Sequence, residues 1–154
     1  MTSITHWNLK GVKDKRNPNY QKKVDIVSHL LSNPSKNLIV SLQETHLESK
    51  NQIPSEWTNF SHLFSLVGNF APNNDSFSGT MLFINKLLTI EHIEVLIPGR
   101  VILVQDGKST IRIFYKLNNK MRINNMKLIC KRRLTRNIKI PVYGYYTTVQ
   151  FHLL

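Results

Sequence analysis

Two polar residues near the start of the chain follow apolar stretches and are of types that could do chemistry together. Asn8 comes directly after the alternating stretch SITHW, residues 3–7, and Glu44 ends the apolar run of residues 38–44. An amide and a carboxylate placed together suit a hard divalent cation and a phosphate, because the carboxylate can ligate the ion while the amide orients an oxygen. The alternative is that Asn8 caps a turn and Glu44 is a solvated residue, and the spacing leaves both interpretations open.

His46 lies two residues after Glu44 and could share a face with it. This position is compatible with a general base. A histidine at the end of a strand is, however, more commonly a structural neighbour of a site than its base, so the spacing favours a supporting role.

The elements that must position Asn8 and Glu44 follow from the apolar pattern. Residues 38–44 form a short, β-branched apolar run, which predicts a strand buried on both faces. Asn17 and Pro18 predict the start of a helix, with Asn as N-cap and Pro at the first helical position. One apolar face of that helix consists of Tyr20, Val24, Val27 and Leu31. The first 44 residues therefore predict a β-α-β unit, in which ligands gather outside the carboxyl ends of the parallel strands.

Further strands are predicted after this unit. The candidates are residues 61–68, 78–85, 100–105 and 109–115. Asp106–Gly107, between the last two, is a typical hairpin turn. Strands that follow a β-α-β unit predict a mixed sheet in an α/β or α+β protein.

The charge is distributed unevenly along the chain. Residues 1–106 contain ten Lys or Arg and nine Asp or Glu, whereas residues 107–154 contain eleven Lys or Arg and no acidic residue. The apolar periodicity also ends near residue 115. We therefore expect an ordered part at residues 1–115 and a basic, poorly patterned tail at residues 116–154, which is either a nucleic-acid-binding arm or a segment never selected as part of the fold.

Composition excludes several classes of protein. With 154 residues, the chain fits a single domain. No apolar run approaches the roughly 20 residues of a membrane span, and the first residues lack the apolar core of a signal peptide. Cys130 is the single cysteine, which excludes an internal disulfide and a cysteine cluster for zinc. We expect an intracellular protein without a membrane partner or a disulfide-linked partner.

Four segments carry a family resemblance. WNLKG, residues 7–11, followed by a helix and by SLQETHL, residues 41–47, resembles the endonuclease/exonuclease/phosphatase superfamily, which has the deoxyribonuclease I-like fold. Within it, the chain is most similar to the apurinic-type endonuclease domain of LINE-type retrotransposons. Residues 76–86 and 99–115 match the next segments in family order. The resemblance implies an α+β fold, as a partial two-layer α/β sandwich with a mixed sheet, a flanking helix and a missing or divergent C-terminal half.

The resemblance also implies a site and a partner. Asn8 would position the scissile phosphate or the attacking water, and Glu44 would bind Mg²⁺ in a DNA-nicking endonuclease of the nucleus. Tyr115 is expected to contact the nucleic acid, although it matches only part of the family's Asn-x-Tyr-x-Pro strand end. Phosphate contacts are also expected from Lys131, Arg132, Arg133 and Arg136, although a solvated basic run is an equal alternative.

The later catalytic motifs of the family have no counterpart, since no Asp follows residue 106. Three hypotheses are therefore open. The chain is a magnesium-dependent endonuclease, a catalytically incomplete fragment of one from a decayed or frame-shifted retroelement, or a non-enzymatic basic nucleic-acid-binding protein. The loss of acidic residues favours the second hypothesis.

Overall fold

The computed structural model describes residues 4–35, 38–72, 78–106, 110–115 and 148–152. In chain order the elements are β1 Ile4–Asn8, α1 Tyr20–Leu31, β2 Ile39–Gln43, a 3-10 turn Lys50–Gln52, α2 Ser55–Thr58, β3 Phe64–Asn69, β4 Thr80–Asn85, β5 Ile90–Ile97, β6 Val101–Asp106, β7 Thr110–Tyr115 and β8 Thr148–His152. The strands form two four-stranded sheets, ordered β1-β2-β4-β3 and β5-β6-β7-β8. The first sheet is mixed, because β1 and β2 are parallel while β2, β4 and β3 are antiparallel.

Alternation of side chains along β2 and β4 creates two apolar layers. Val40 and Leu42 of β2 face α1, where they pack with Val24, Val27 and Leu31 in one core cluster. The opposite face of the same sheet packs against the second sheet, through Ile39, Leu82, Ile84, Ile102 and Val104. All five residues of β2 are buried, as predicted for a strand covered on both faces.

The predicted helical face is confirmed, but the predicted start of the helix is wrong. Val24, Val27 and Leu31 are fully buried, whereas α1 begins at Tyr20 with Asn19 as its N-cap. The Asn17 side chain instead accepts a hydrogen bond from Asn19 N at 2.9 Å, and Asn17 O accepts one from Tyr20 N at 2.9 Å. This local turn uses hydrogen-bonding groups that the start of a helix would need, so α1 begins two residues later than predicted.

Two strands lie where the sequence pattern gave no clear element. β5 has an irregular pattern of exposure and two register shifts against β6, so its residues do not alternate as a half-buried strand does. β8 falls within the predicted tail and pairs antiparallel with β7. The boundary between an ordered part and a tail at residue 115 stays a prediction, since the remaining residues from 116 to 147 lie outside the described part of the chain.

Candidate active site at the carboxyl ends of β1 and β2

The parallel pairing of β1 and β2 places Asn8 and Glu44 at the same end of the first sheet. Asn8, the last residue of β1, pairs in register with Gln43, and Glu44 follows Gln43 directly. The expectation that the two strands are neighbours is confirmed. Asn8 is exposed and Glu44 half-buried; that their side chains share one ligand stays a prediction.

A polar row crosses the whole sheet at this level, and sequence reasoning missed most of it. The register places Asn8 beside Gln43, Gln43 beside Thr80, and Thr80 beside Asn69. The last three are buried, with 1–4% of their surface exposed. Gln43 could have been found as a neighbour of Glu44 in the same motif, but Thr80 and Asn69 only become neighbours through strand pairing.

Two of the four residues in this row, Asn69 and Thr80, connect the first sheet to the second. Asn69 Nδ2 donates to Ile97 O at 2.9 Å, and its Oδ1 accepts from Gly99 N. Thr80 Oγ1 donates to Gly99 O at 3.3 Å. These bonds fasten the turn between β5 and β6 to the end of the first sheet that carries Asn8, which fixes the second sheet relative to the candidate site.

Backbone strain concentrates at the same place. Among the residues that the structure describes, the non-glycine residues with positive φ are Lys10 at 51°, Glu44 at 50° and His46 at 60°. Each such conformation costs an L-residue about 1–2 kcal/mol. Non-glycine residues with positive φ cluster at functional sites, where the surrounding structure compensates for the unfavourable conformational free energy.

The hydrogen bonds that hold Glu44 in this conformation come from both sides. On one side, Glu44 O accepts from Gly11 N at 2.7 Å. On the other side, Thr45 N donates to Gly79 O at 3.1 Å and His46 N donates to Ser78 O at 2.9 Å. The backbone after β2 is thus fixed between the loop that follows β1 and the segment that leads into β4.

The orientation of the Asn8 amide follows from its own turn. Asn8 Oδ1 accepts a hydrogen bond from Lys10 N at 3.0 Å. A backbone N–H can only donate, so the atom facing Lys10 must be the amide oxygen and not the nitrogen. A phosphate oxygen bound by Asn8 would therefore be bound through the Nδ2 donors.

His46 packs against Gly11, consistent with the supporting role expected from its spacing. A Cβ atom at Gly11 would lie 2.5 Å from His46 Nδ1, so only glycine, which also adopts φ 87° freely, allows this contact. The imidazole is half-buried beside the loop that carries Lys10. It therefore shapes the wall next to the candidate site.

His6 lies two residues before Asn8 on β1, in register with Ser41. Burial lowers the pKa of His6 from 6.5 to about 4, because the charged imidazolium would lose its hydration. His6 is therefore neutral at physiological pH and adds no positive charge behind the candidate site.

Few of the described side chains are placed to ligate the expected Mg²⁺ ion. Within residues 4–35, 38–72 and the later described segments, no group of three or more His, Cys, Asp or Glu side chains could hold a metal ion. Mg²⁺ often keeps several waters and is held by one or two carboxylates together with substrate phosphates. Glu44 fits that mode of binding and does not fit an ion enclosed by protein ligands.

The remaining predicted residues are placed in part. Tyr115, the last residue of β7, pairs with Val101, whose carbonyl accepts from Asn69 Nδ2 at 3.4 Å. The backbone of Tyr115 therefore lies at the end of the sandwich that carries Asn8 and Gln43. Lys131, Arg132, Arg133 and Arg136 lie outside the described residues.

Solved structures share this fold. The chain is similar to TDP2 from Caenorhabditis elegans, with 13% identity and a TM-score of 0.55 over 87% of this chain and 42% of that one. It is also similar to a truncated form of the same protein, with 14% identity and a TM-score of 0.51 over 85% of this chain and 51% of that one. These structures have the deoxyribonuclease I-like fold, so the expected fold class is confirmed.

The chain spans only about half, or less, of the length of these structures. No model of a known protein family matches the chain, and no curated protein matches it. The helices of the described segments are too short and too polar to cross a membrane.

Proposed function

We propose that the chain is a phosphodiester hydrolase of the DNA-nicking endonuclease type, with reduced activity as it stands. The observation that carries the proposal is that Asn8 and the strained Glu44 lie at the carboxyl ends of two neighbouring parallel strands. These are the residues that the motifs WNLKG and SLQETHL assign to phosphate and metal. The deoxyribonuclease I-like fold supports the proposal independently of those motifs.

The chemistry divides between the two residues. Glu44 would hold Mg²⁺, which polarises a phosphate and stabilises the charge on the leaving oxygen. Asn8 donates from Nδ2 to a phosphate oxygen, because its Oδ1 is engaged by Lys10 N. The backbone bonds around Glu44 fix the backbone that carries its carboxylate, so little backbone reorganisation is needed during the reaction.

Reduced activity follows from the chemistry that residues 107–154 do not carry. In the family, activation of the attacking water depends on a later Asp and on an Asp–His pair. Residues 107–154 of this chain contain no acidic residue that could take these roles. Losing a general acid or base typically costs 10²–10⁴-fold in rate, and groups that act as a unit do not add simply. We therefore propose nicking at least about 100-fold below that of a complete relative.

The finer assignment is to a LINE-type retrotransposon, as a truncated endonuclease acting on nuclear DNA. Its support is the QETHL motif after WN at the family's spacing. The nucleotide sequence tests this origin, because a decayed or frame-shifted element would carry the missing motifs in another frame downstream of about codon 115. A downstream sequence without those motifs in any frame would contradict it.

One observation favours a second candidate, a non-enzymatic nucleic-acid-binding protein. The chain has a formal net charge of +12. Such a charge supports salt-sensitive binding to phosphates without any cleavage.

A plasmid-nicking assay with Mg²⁺ distinguishes these functions. We expect weak conversion of supercoiled to open-circular DNA that disappears in Glu44→Gln, which removes the ionised ligand while keeping the side-chain length. Asn8→Ala should also abolish it, since it removes the Nδ2 donors.

Glu91→Gln is the matched control, because Glu91 is an exposed glutamate on β5 and the substitution changes the charge equally. Nicking that is unchanged in Glu44→Gln would contradict the proposed site. DNA binding without any Glu44-dependent nicking would establish the second candidate instead.

A further inference from the structure

A pocket of about 450 Å³ lies beside the candidate active site, and three of its eight lining residues are lysine or arginine. The loop between β1 and α1 contributes Lys10, Lys13 and Arg16, and Tyr20 and His46 also line the pocket. Lys10 follows Asn8 by two residues, and His46 follows Glu44 by two residues. The pocket therefore lies next to the proposed catalytic end of the sheet, and neither Asn8 nor Glu44 lines it.

The charges of the lining leave a positive surplus. Arg16 Nε lies 3.2 Å from Asp14 Oδ1, and hydrogen bonds from Arg16 hold the pKa of Asp14 below its usual value. Lys13 Nζ lies 2.6 Å from Glu48 Oε1. Three cations against these two carboxylates leave a net positive pocket, and Lys10 is the exposed cation nearest in sequence to Asn8.

The loop is organised before any ligand binds. Lys23 Nζ donates to Gly11 O at 2.7 Å and to Lys10 O at 3.2 Å, which ties the loop to α1. Val12 N donates to Thr45 O at 2.9 Å, which ties it to the segment after β2. A loop fixed in this way loses little conformational entropy when it binds a charged group.

Cations held around a concave, partly aromatic pocket recognise a phosphate attached to a larger organic group. The volume is within the range of sites for small organic ligands. Arginine and lysine donate charge-assisted hydrogen bonds to phosphate oxygens, and tyrosine and histidine offer flat faces to a base or sugar.

We propose that this pocket binds a second phosphate of a polynucleotide strand whose scissile phosphate lies at Asn8 and Glu44. The inference rests on the proposed function and specifies its substrate class. A small phosphodiester has one phosphate and cannot use both sites, whereas each nucleotide of a strand adds a phosphate. The pocket thus selects polymers over small phosphodiesters.

Binding measured without catalysis tests the inference. The probe is a fluorescein-labelled single-stranded DNA 12-mer, with fluorescence anisotropy recorded in EDTA over a series of salt concentrations. Lys10→Gln and Arg16→Gln should each weaken binding roughly three- to tenfold, and should reduce the slope of log K against log salt by about 0.7 for each lost phosphate contact.

Lys86→Gln is the matched control. Lys86 is exposed and follows β4, whose end pairs with the start of β2, at the opposite end of the sheet from Asn8. Loss of one positive charge at that distance should change the affinity by less than about twofold and should leave the salt slope unchanged. Equal effects of all three substitutions would overturn the pocket and show a general effect of net charge.

Competitors of increasing length supply a second readout. Unlabelled oligonucleotides with one to five phosphates should gain affinity once a second phosphate reaches the pocket, and Lys10→Gln should remove that gain. Lys10→Arg, which keeps the charge, should restore it. A length dependence that is unchanged in Lys10→Gln would overturn the inference.

These outcomes do not depend on cleavage, because EDTA removes the metal from every sample. A failure of Glu44-dependent nicking would remove the proposed function and leave the binding result intact. A failure of the binding prediction would overturn the phosphate-binding role of the pocket. The catalytic role of Asn8 and Glu44 would still be tested by the nicking assay.

Discussion

Replacement of Glu44 by glycine or by alanine should separate the cost of the strained backbone from the loss of the carboxylate. Glu44 has φ 50°, a conformation that glycine adopts freely and alanine does not. Both variants lose the same carboxylate and should lose any metal-dependent nicking equally. They differ only in the conformational freedom of residue 44.

The magnitude follows from two opposing effects. Alanine in the left-handed region costs about 1–2 kcal/mol in the folded state. Alanine also restricts the unfolded chain relative to glycine, which favours the alanine variant by about 0.4–1 kcal/mol. The free energy of unfolding of Glu44→Gly should therefore exceed that of Glu44→Ala by roughly 0.5–1 kcal/mol.

Urea unfolding, followed through the fluorescence of Trp7 and Trp57, measures this difference. Both indoles pack in or against the cluster between α1 and the first sheet, so their emission reports on the loss of that core. With m-values of about 1–3 kcal/mol per molar urea, the midpoint of the glycine variant should lie roughly 0.2–1 M higher.

The same pair of substitutions at Lys22, an exposed position within α1, is the control. There glycine should be less stable than alanine by about 0.8–1 kcal/mol, the opposite sign, because the helical φ suits alanine. An alanine variant at position 44 that is as stable as the glycine variant would refute the assignment of backbone strain to Glu44.

Three other outcomes are expected. The pKa of His6 is about 4 in the folded state and 6.5 in the unfolded state, so the unfolded state binds more protons between these pH values. The free energy of unfolding should therefore fall as the pH falls from 6.5 to 4. Urea titrations should show a slope of up to about 1.4 kcal/mol per pH unit in this free energy, and the slope should be absent in His6→Gln. Trp57→Phe removes the bond from Nε1 to Val24 O at 3.1 Å and should lower the free energy of unfolding by about 1–3 kcal/mol in urea. Asn8→Asp keeps an oxygen to accept from Lys10 N, so its unfolding midpoint should match that of the wild type while nicking is lost; an equal loss of stability in Asn8→Asp and Asn8→Ala would contradict the orientation of the amide.

The sequence by itself determined the elements whose pattern is local. The buried face of α1 and the fully buried β2 follow from apolar spacing, because burial of these side chains is the main term that stabilises the elements. The pairing of two parallel strands follows from the β-α-β order. The motifs around Asn8 and Glu44 identified the two residues from which the candidate site is built.

Tertiary structure alone decided what surrounds those two residues. The row from Asn8 to Asn69 depends on which strands pair with one another, and these strands are distant in sequence, so no local pattern determines the row. The positive φ of Glu44 depends on the hydrogen bond from Gly11 N, and the pocket beside it depends on a loop fastened by Lys23. Residue types can show which groups are capable of chemistry, but long-range backbone bonds decide which groups are held together and in which orientation, because each such bond joins segments that the chain brings together only on folding.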